Sequence, residues 1–223
     1  MHVLDPSKRY FQIAFNYDIG LAEGIIPTLP RDDRIIIEAG TPFIKRYGEA
    51  GIRRIASLWP GIVVADIKTV DGAEQEVQEA YSAGASAATV IGTASKETID
   101  LFIKTCDDLK MDSMVDLLNV ERVMKVLWPL KKPPSVAVIH RGRDEESSFG
   151  ALIKYKQIVK IKGKYDVMIS AAGGVDLREA QSAMFNGAEI VVANLVRPGD
   201  PWAGIPTNSN IAEMAQRFLD SIR

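Results

Sequence analysis

Eight short apolar runs recur along the chain, at residues 10–15, 34–37, 62–65, 87–90, 113–115, 135–139, 167–170 and 189–192. They are rich in Ile, Val and Ala and scarcely alternate with polar residues, which is the pattern of parallel strands covered on both faces. Between them, residues 72–83, 95–109, 153–161, 177–186 and 210–222 carry apolar side chains at the three- and four-residue spacing of amphipathic helices. Ser95 with Thr98 opens one of these helices as an N-cap, and Gly84-Ala85 and Gly187-Ala188 each end a helix just before a strand. This alternation predicts a single (β/α)8 TIM barrel, an α/β fold with residues 1–223 as one domain. The rival architecture is an open doubly wound sheet. Its glycine-rich loop after the first strand is missing, because that strand runs into Asn16-Tyr17-Asp18. No Pro-, Gly- or Ser-rich linker divides the chain.

Composition narrows the function classes. A length of 223 residues suits one barrel, and 47% hydrophobic with 25% charged residues is ordinary for a globular protein. A net charge of −2 provides no basic field for nucleic acid. The apolar runs fall far short of the roughly 20 residues that span a bilayer, so no membrane partner is expected. Residues 1–12 lack the basic-then-apolar order of a signal peptide, and His2 among them has no expected role. Cys106 is the only cysteine, which excludes an intrachain disulfide and fits a reducing, cytoplasmic location.

Barrel enzymes build their active sites at the C-terminal ends of the strands. Here those ends carry Asn16 and Asp18, Glu38, Asp66 and Lys68, Thr93, Asp116, His140 with Arg141 and Arg143, and Gly173-Gly174. Charges converging on one rim are unfavourable unless paired, metal-bound or functional. The densest segment is Asp66-Ile67-Lys68-Thr69-Val70-Asp71. Asp66 and Lys68 lie two apart on an extended run, so both can face the barrel mouth. A D-x-K triplet standing alone is more often an ion pair than a site; Glu38 and His140 at equivalent strand ends shift that balance. Gly173-Gly174, before a helix, can bring backbone amides close to a phosphate.

The Asp66–Asp71 segment resembles the D-x-K-x-x-D motif of the orotidine monophosphate decarboxylase superfamily, which includes 3-keto-gulonate 6-phosphate decarboxylase and 3-hexulose 6-phosphate synthase. The resemblance extends over nearly the whole chain. Ile37-Glu38-Ala39-Gly40-Thr41-Pro42, Thr89 to Ala94, Val115-Asp116-Leu117, His140-Arg141-Gly142-Arg143-Asp144 and Ala171-Ala172-Gly173-Gly174-Val175 follow in the expected order. A glutamate at position 38, where the metal-free orotidine monophosphate decarboxylases place lysine, resembles the magnesium-dependent branch. That implies Glu38 and Asp66 as ligands of Mg2+, which takes hard oxygen donors. The implied chemistry is an enediolate of a ketose phosphate, with Lys68 stabilising charge and His140 as general base or acid.

Within that branch, Ala39 to Gly48 and residues 194–202 look like archaeal synthases, which join formaldehyde to ribulose 5-phosphate. His140-Arg141-Gly142-Arg143-Asp144 looks more like the keto-gulonate decarboxylase, with Arg143 helping to position water or substrate. We expect the synthase; a decarboxylase is the enzymatic alternative, and a sugar-phosphate-binding barrel with a decayed site is the non-enzymatic one. Asn16, Asp116, Arg141, Gly173, Gly174, Asn194 and Arg197 are the expected substrate contacts. Two of them depart from the family. Asn16 replaces a first-strand aspartate, and Ala193-Asn194, with Arg197 three residues later, replaces a Gly-Arg pair. In relatives the last acid of the motif reaches into the partner's active site, so the resemblance implies a homodimer with Asp71 shared across it.

Overall fold

In a computed structural model of the chain, which describes residues 3–146 and 153–223, eight parallel strands close into a barrel. His2 lies outside the described residues. The elements run β1 (Tyr10–Phe15), α1 (Ile19–Ile25), β2 (Ile35–Ala39), α2 (Thr41–Leu58), β3 (Val63–Thr69), α3 (Ala73–Ser82), β4 (Ala87–Ile91), α4 (Lys96–Asp108) and β5 (Asp112–Asp116). They continue with α5 (Val123–Leu127), β6 (Val136–His140), α6 (Arg143–Glu146), α7 (Lys156–Lys162), β7 (Met168–Ala172), α8 (Leu177–Phe185), β8 (Ile190–Val196), β9 (Ile205–Pro206) and α9 (Ile211–Ser221). Each barrel strand pairs in parallel with the next, and β8 returns to β1 with Val192 opposite Gln12 and Asn194 opposite Ala14. The short β9 pairs with the end of β8 and was not expected from sequence.

The barrel follows from where the strands place alternate side chains. On β1, Phe11, Ile13 and Phe15 point outward to the helices, and Tyr10 and Ala14 point inward. Phe11 stacks on Phe218 of α9 at 4.3 Å between ring centroids. Ile36, Val64, Ala87, Met114, Val136, Met168 and Ile190 fill the inside from the other strands. Burying each large apolar side chain contributes roughly 1.5–3 kcal/mol, so both layers favour this closure strongly. At the bottom, fully buried Asp112 accepts hydrogen bonds from the backbone of Val3 (2.9 Å) and Leu4 (2.7 Å), which holds the N-terminal segment across the barrel floor.

Candidate active site

The inward face changes character near the top of the barrel. One layer above the apolar residues stand Glu38 on β2, Asp66 on β3, Thr89 on β4, Asp116 on β5 and His140 on β6. They surround a cavity of about 290 Å³ whose wall also includes Gln12, Asn16, Lys68, Arg143, Gly173 and Asn194. Most of the residues expected from sequence at the site line this one cavity.

Lys68 reaches this cavity through a local irregularity. The pairing of β3 with β4 slips between Ala65 and Thr69, and Lys68 takes a left-handed backbone angle, φ 47°. A non-glycine residue held there costs roughly 1–3 kcal/mol and persists only when its surroundings insist on it. Those surroundings are present. The Lys68 amide donates to Thr89 Oγ1 at 2.9 Å. Its ammonium lies 2.6 Å and 2.7 Å from the Asp66 oxygens and 3.0 Å from Asp116 Oδ2. Thr41 and Thr89 each donate to Asp66 at 2.8 Å. Asp116 in turn meets His140 Nδ1 at 2.9 Å. An Asp66–Lys68–Asp116–His140 chain thus crosses the barrel mouth.

Burial and charge act against each other in this chain. Burial alone would lower the Lys68 pKa, but the fields of Asp66 and Asp116 outweigh it and hold the lysine above its ordinary value. Burial alone would raise Asp116, but His140 and Lys68 hold it well below the usual carboxylate range. For His140, burial is likewise outweighed by Asp116, and the imidazole pKa is raised. Because the ionised Asp116 can only accept, Nδ1 carries the proton of that bond and Nε2 is the atom left for chemistry.

Glu38 differs from the other acids. Burial, then repulsion by Asp66, pushes its pKa up to about 7. Among the described residues its hydrogen-bond partner is Gln12, whose Nε2 donates at 2.5 Å, and it has no ion pair. Burial and the field of Asp66 both disfavour the Glu38 charge, and a divalent cation would offset both. No group of three or more His, Cys, Asp or Glu side chains suited to a metal occurs among the described residues. Two carboxylates nevertheless suit Mg2+, which keeps several waters and substrate oxygens. The donor set fits that ion.

Other candidates are placed elsewhere. Arg141 turns away from the cavity, and its Nη2 donates to the carbonyls of Gly173 (3.1 Å) and Gly174 (3.4 Å), bracing the turn after β7. Gly174 lies behind that turn, outside the cavity wall. Arg197 is 54% exposed, pairs with Asp18 at 2.7 Å and stacks on Tyr17 at 4.5 Å, so the loop after β8 binds to the loop after β1. Arg143 does line the cavity, with its guanidinium 4.5 Å over the Trp202 ring. Asp71 is exposed and faces a separate surface groove with Gln75, Ser95 and Leu101. Thr93 is exposed as well, and Thr89 occupies the inward position on β4. Asn16 and Asn194, the two departures from the family pattern, are joined by a 2.9 Å hydrogen bond.

Sequence analysis missed Gln12, Thr41, Thr89 and Ser170. Strand parity was the available signal for Thr89 and Gln12, since each lies two residues from an inward apolar neighbour, Ala87 and Tyr10 respectively. Ser170, within a run already read as strand, carried the same signal.

Comparison with known proteins agrees with this geometry. The bifunctional enzyme Fae/Hps of Methanothrix thermoacetophila is 32% identical over 225 aligned residues, covering 100% of this chain and 54% of the relative. The bifunctional enzyme Fae/Hps of Methanosarcina barkeri is 35% identical over 96% of this chain and 52% of the relative. The chain thus spans about half the length of these curated relatives. Among solved structures, the 3-hexulose-6-phosphate synthase from Salmonella typhimurium superimposes with a TM-score of 0.81 and 25% identity, covering 96% of this chain and 98% of that one. The model of the orotidine 5'-phosphate decarboxylase / HUMPS family matches residues 12–194, and the chain belongs to that family.

Proposed function

We propose that the protein is a 3-hexulose 6-phosphate synthase, a lyase that joins formaldehyde to ribulose 5-phosphate and catalyses the reverse cleavage. The observation that carries this reading is the Asp66–Lys68–Asp116–His140 chain beside Glu38, in a sequence similar along its whole length to Fae/Hps enzymes. In the synthetic direction, His140 Nε2 removes a proton from C1 of the ketose phosphate, and the electron pair passes into the adjacent carbonyl. Asp116 holds the imidazole in the required tautomer and favours the imidazolium that forms. The Lys68 ammonium faces the negative charge that develops on the enediolate oxygens. C1 then forms a bond to the carbon of formaldehyde, and the new hydroxymethyl oxygen takes a proton. Glu38 and Asp66 would hold Mg2+, which would supply Lewis acidity for the developing negative charge. The phosphate lies towards Gly173 and Arg143, the glycine turn and cation that line the cavity.

Two further parts of this reading concern assembly and place. Asp71 follows Val70, which is 65% exposed although apolar, and a second copy of the chain covering this region would bring Asp71 to the partner's site. A cytoplasmic setting is supported by the single, buried cysteine. Arg143 in the cavity wall favours a second reading, 3-keto-L-gulonate 6-phosphate decarboxylase, which reaches the same enediolate by losing CO2. One pair of assays separates the two. The synthase consumes ribulose 5-phosphate only when formaldehyde and Mg2+ are present, whereas the decarboxylase releases CO2 from the keto acid. CO2 release without formaldehyde-dependent consumption would replace the first reading with the second.

A further inference from the structure

Gln12 points into the barrel between apolar neighbours, and it is only 2% exposed. Its neighbours across the sheet are Ile36 on β2 and Val192 on β8. Burying an amide among such residues is unfavourable unless both its ends are used. One end is. Nε2 donates to Glu38 Oε2 at 2.5 Å, the single hydrogen bond of the Glu38 side chain among the described residues. The other end is not: among the described residues nothing pairs with buried Gln12 Oε1, which stands in the wall of the cavity that also holds Glu38 and Asp66. An unmet acceptor in a buried place calls for an occupant.

The charge pattern identifies the occupant. Asp66 and Asp116 are both paired with Lys68, whereas Glu38 has no ion pair among the described residues and is held by a neutral amide. A cationic side chain at position 12 would neutralise Glu38 and exclude a metal ion; glutamine orients the carboxylate without doing so. We propose that Gln12 is a positioning residue for a divalent cation. Its Nε2 fixes Oε2 of Glu38 and leaves Oε1 of that carboxylate for the ion, while Gln12 Oε1 accepts a hydrogen bond from a water of the ion's hydration shell. Mg2+ keeps several such waters, and partners of this outer kind orient the ligands themselves. This inference rests on the reading that Glu38 and Asp66 hold the cation.

The test is direct cation binding without substrate. Mn2+ is titrated into the wild-type protein and into Gln12→Met, a near-isosteric apolar change, and free Mn2+ is followed by electron paramagnetic resonance. The expected result is about 10- to 100-fold weaker binding in the variant, with a thermal midpoint in EDTA within a few degrees of wild type. Binding within threefold of wild type would overturn the role of Gln12 and leave the Glu38–Asp66 reading standing. Wild-type protein that binds no Mn2+ would overturn both. If Gln12→Met does not fold, the Gln12 side-chain amide resonance of wild-type protein decides. It is expected to shift on saturation with Mg2+, and an unmoved resonance contradicts the proposal.

Discussion

Lys68 lies between two buried carboxylates, so removing its charge leaves both without their cation. We predict that Lys68→Ala loses turnover and also about 3–5 kcal/mol of stability at pH 7, measured by urea denaturation, because Asp66 and Asp116 are left without their shared cation. Asp66→Asn behaves differently. It keeps hydrogen-bonding capacity toward Thr41 and Thr89 and relieves Glu38 of its repelling neighbour. Turnover is expected to fall by roughly 10³-fold or more, with thermal stability close to wild type. His140 offers a spectroscopic check, since the chain has only two histidines. Asp116 raises its pKa against the effect of burial, so Asp116→Asn should lower the His140 titration midpoint, followed by NMR. A midpoint that stays put or rises would remove Asp116 from its orienting role.

At the scale of elements, the pairing of β2 with β3 sets Glu38 and Asp66 on neighbouring strands, and this has a pH consequence. The folded protein holds the Glu38 proton up to about pH 7, whereas the unfolded chain releases it near 4.5. This contribution to stability is therefore complete below pH 4.5 and is lost as pH rises to about 7. Metal-free protein should show that decline in thermal scans, Glu38→Gln should lack it, and Mg2+ should restore stability at pH 8. The turn between β7 and α8 is equally constrained. Gly173 has φ 97°, and a Cβ there would lie 2.0 Å from the Arg141 carbonyl. Gly173→Ala is expected to cost more than about 1 kcal/mol, read from the denaturation midpoint. Elements of this kind were readable from sequence where the signal was local. Ser95 caps α4 by accepting from Thr98 at 3.1 Å, and Gly84 and Gly187 both adopt φ 96°, as glycine after a helix does. Apolar patterning alone marks β3 only as far as Ala65, while the strand continues through Asp66 and Lys68 to Thr69. The charged residues that line the cavity are those that hide the strand. The Asn16–Asn194 pair was hidden for another reason: the partners are 178 positions apart, and one sequence holds no record of such contacts.

For the whole molecule, barrel closure turns eight strand ends into one rim, and that alone brings together Asn16, just after β1, and Asn194 of β8. The fold was legible because its repeat is regular, and so was much of the candidate site, because every barrel strand contributes at least one inward residue to the same cavity. The fate of Arg197 was not legible, since nothing local in the sequence shows that Asp18 and Tyr17 hold it outside the cavity. Asp71 belongs to this scale also. If two copies share their sites, inactive Asp71→Asn and inactive Asp66→Asn proteins, mixed and allowed to exchange subunits, should regain activity by forming one site with both acids intact. No regain despite proven exchange would place Asp71 outside the site. The central claim is carbon–carbon bond formation at this rim, and NMR with ¹³C-labelled formaldehyde and ribulose 5-phosphate tests it directly. With Mg2+ and wild-type protein, the label should appear in a new hydroxymethyl group bonded to C1 of the ketose, and not with Asp66→Asn or with EDTA. Labelled formaldehyde left unincorporated by the wild-type protein with Mg2+, or incorporated equally well by Asp66→Asn, would contradict it.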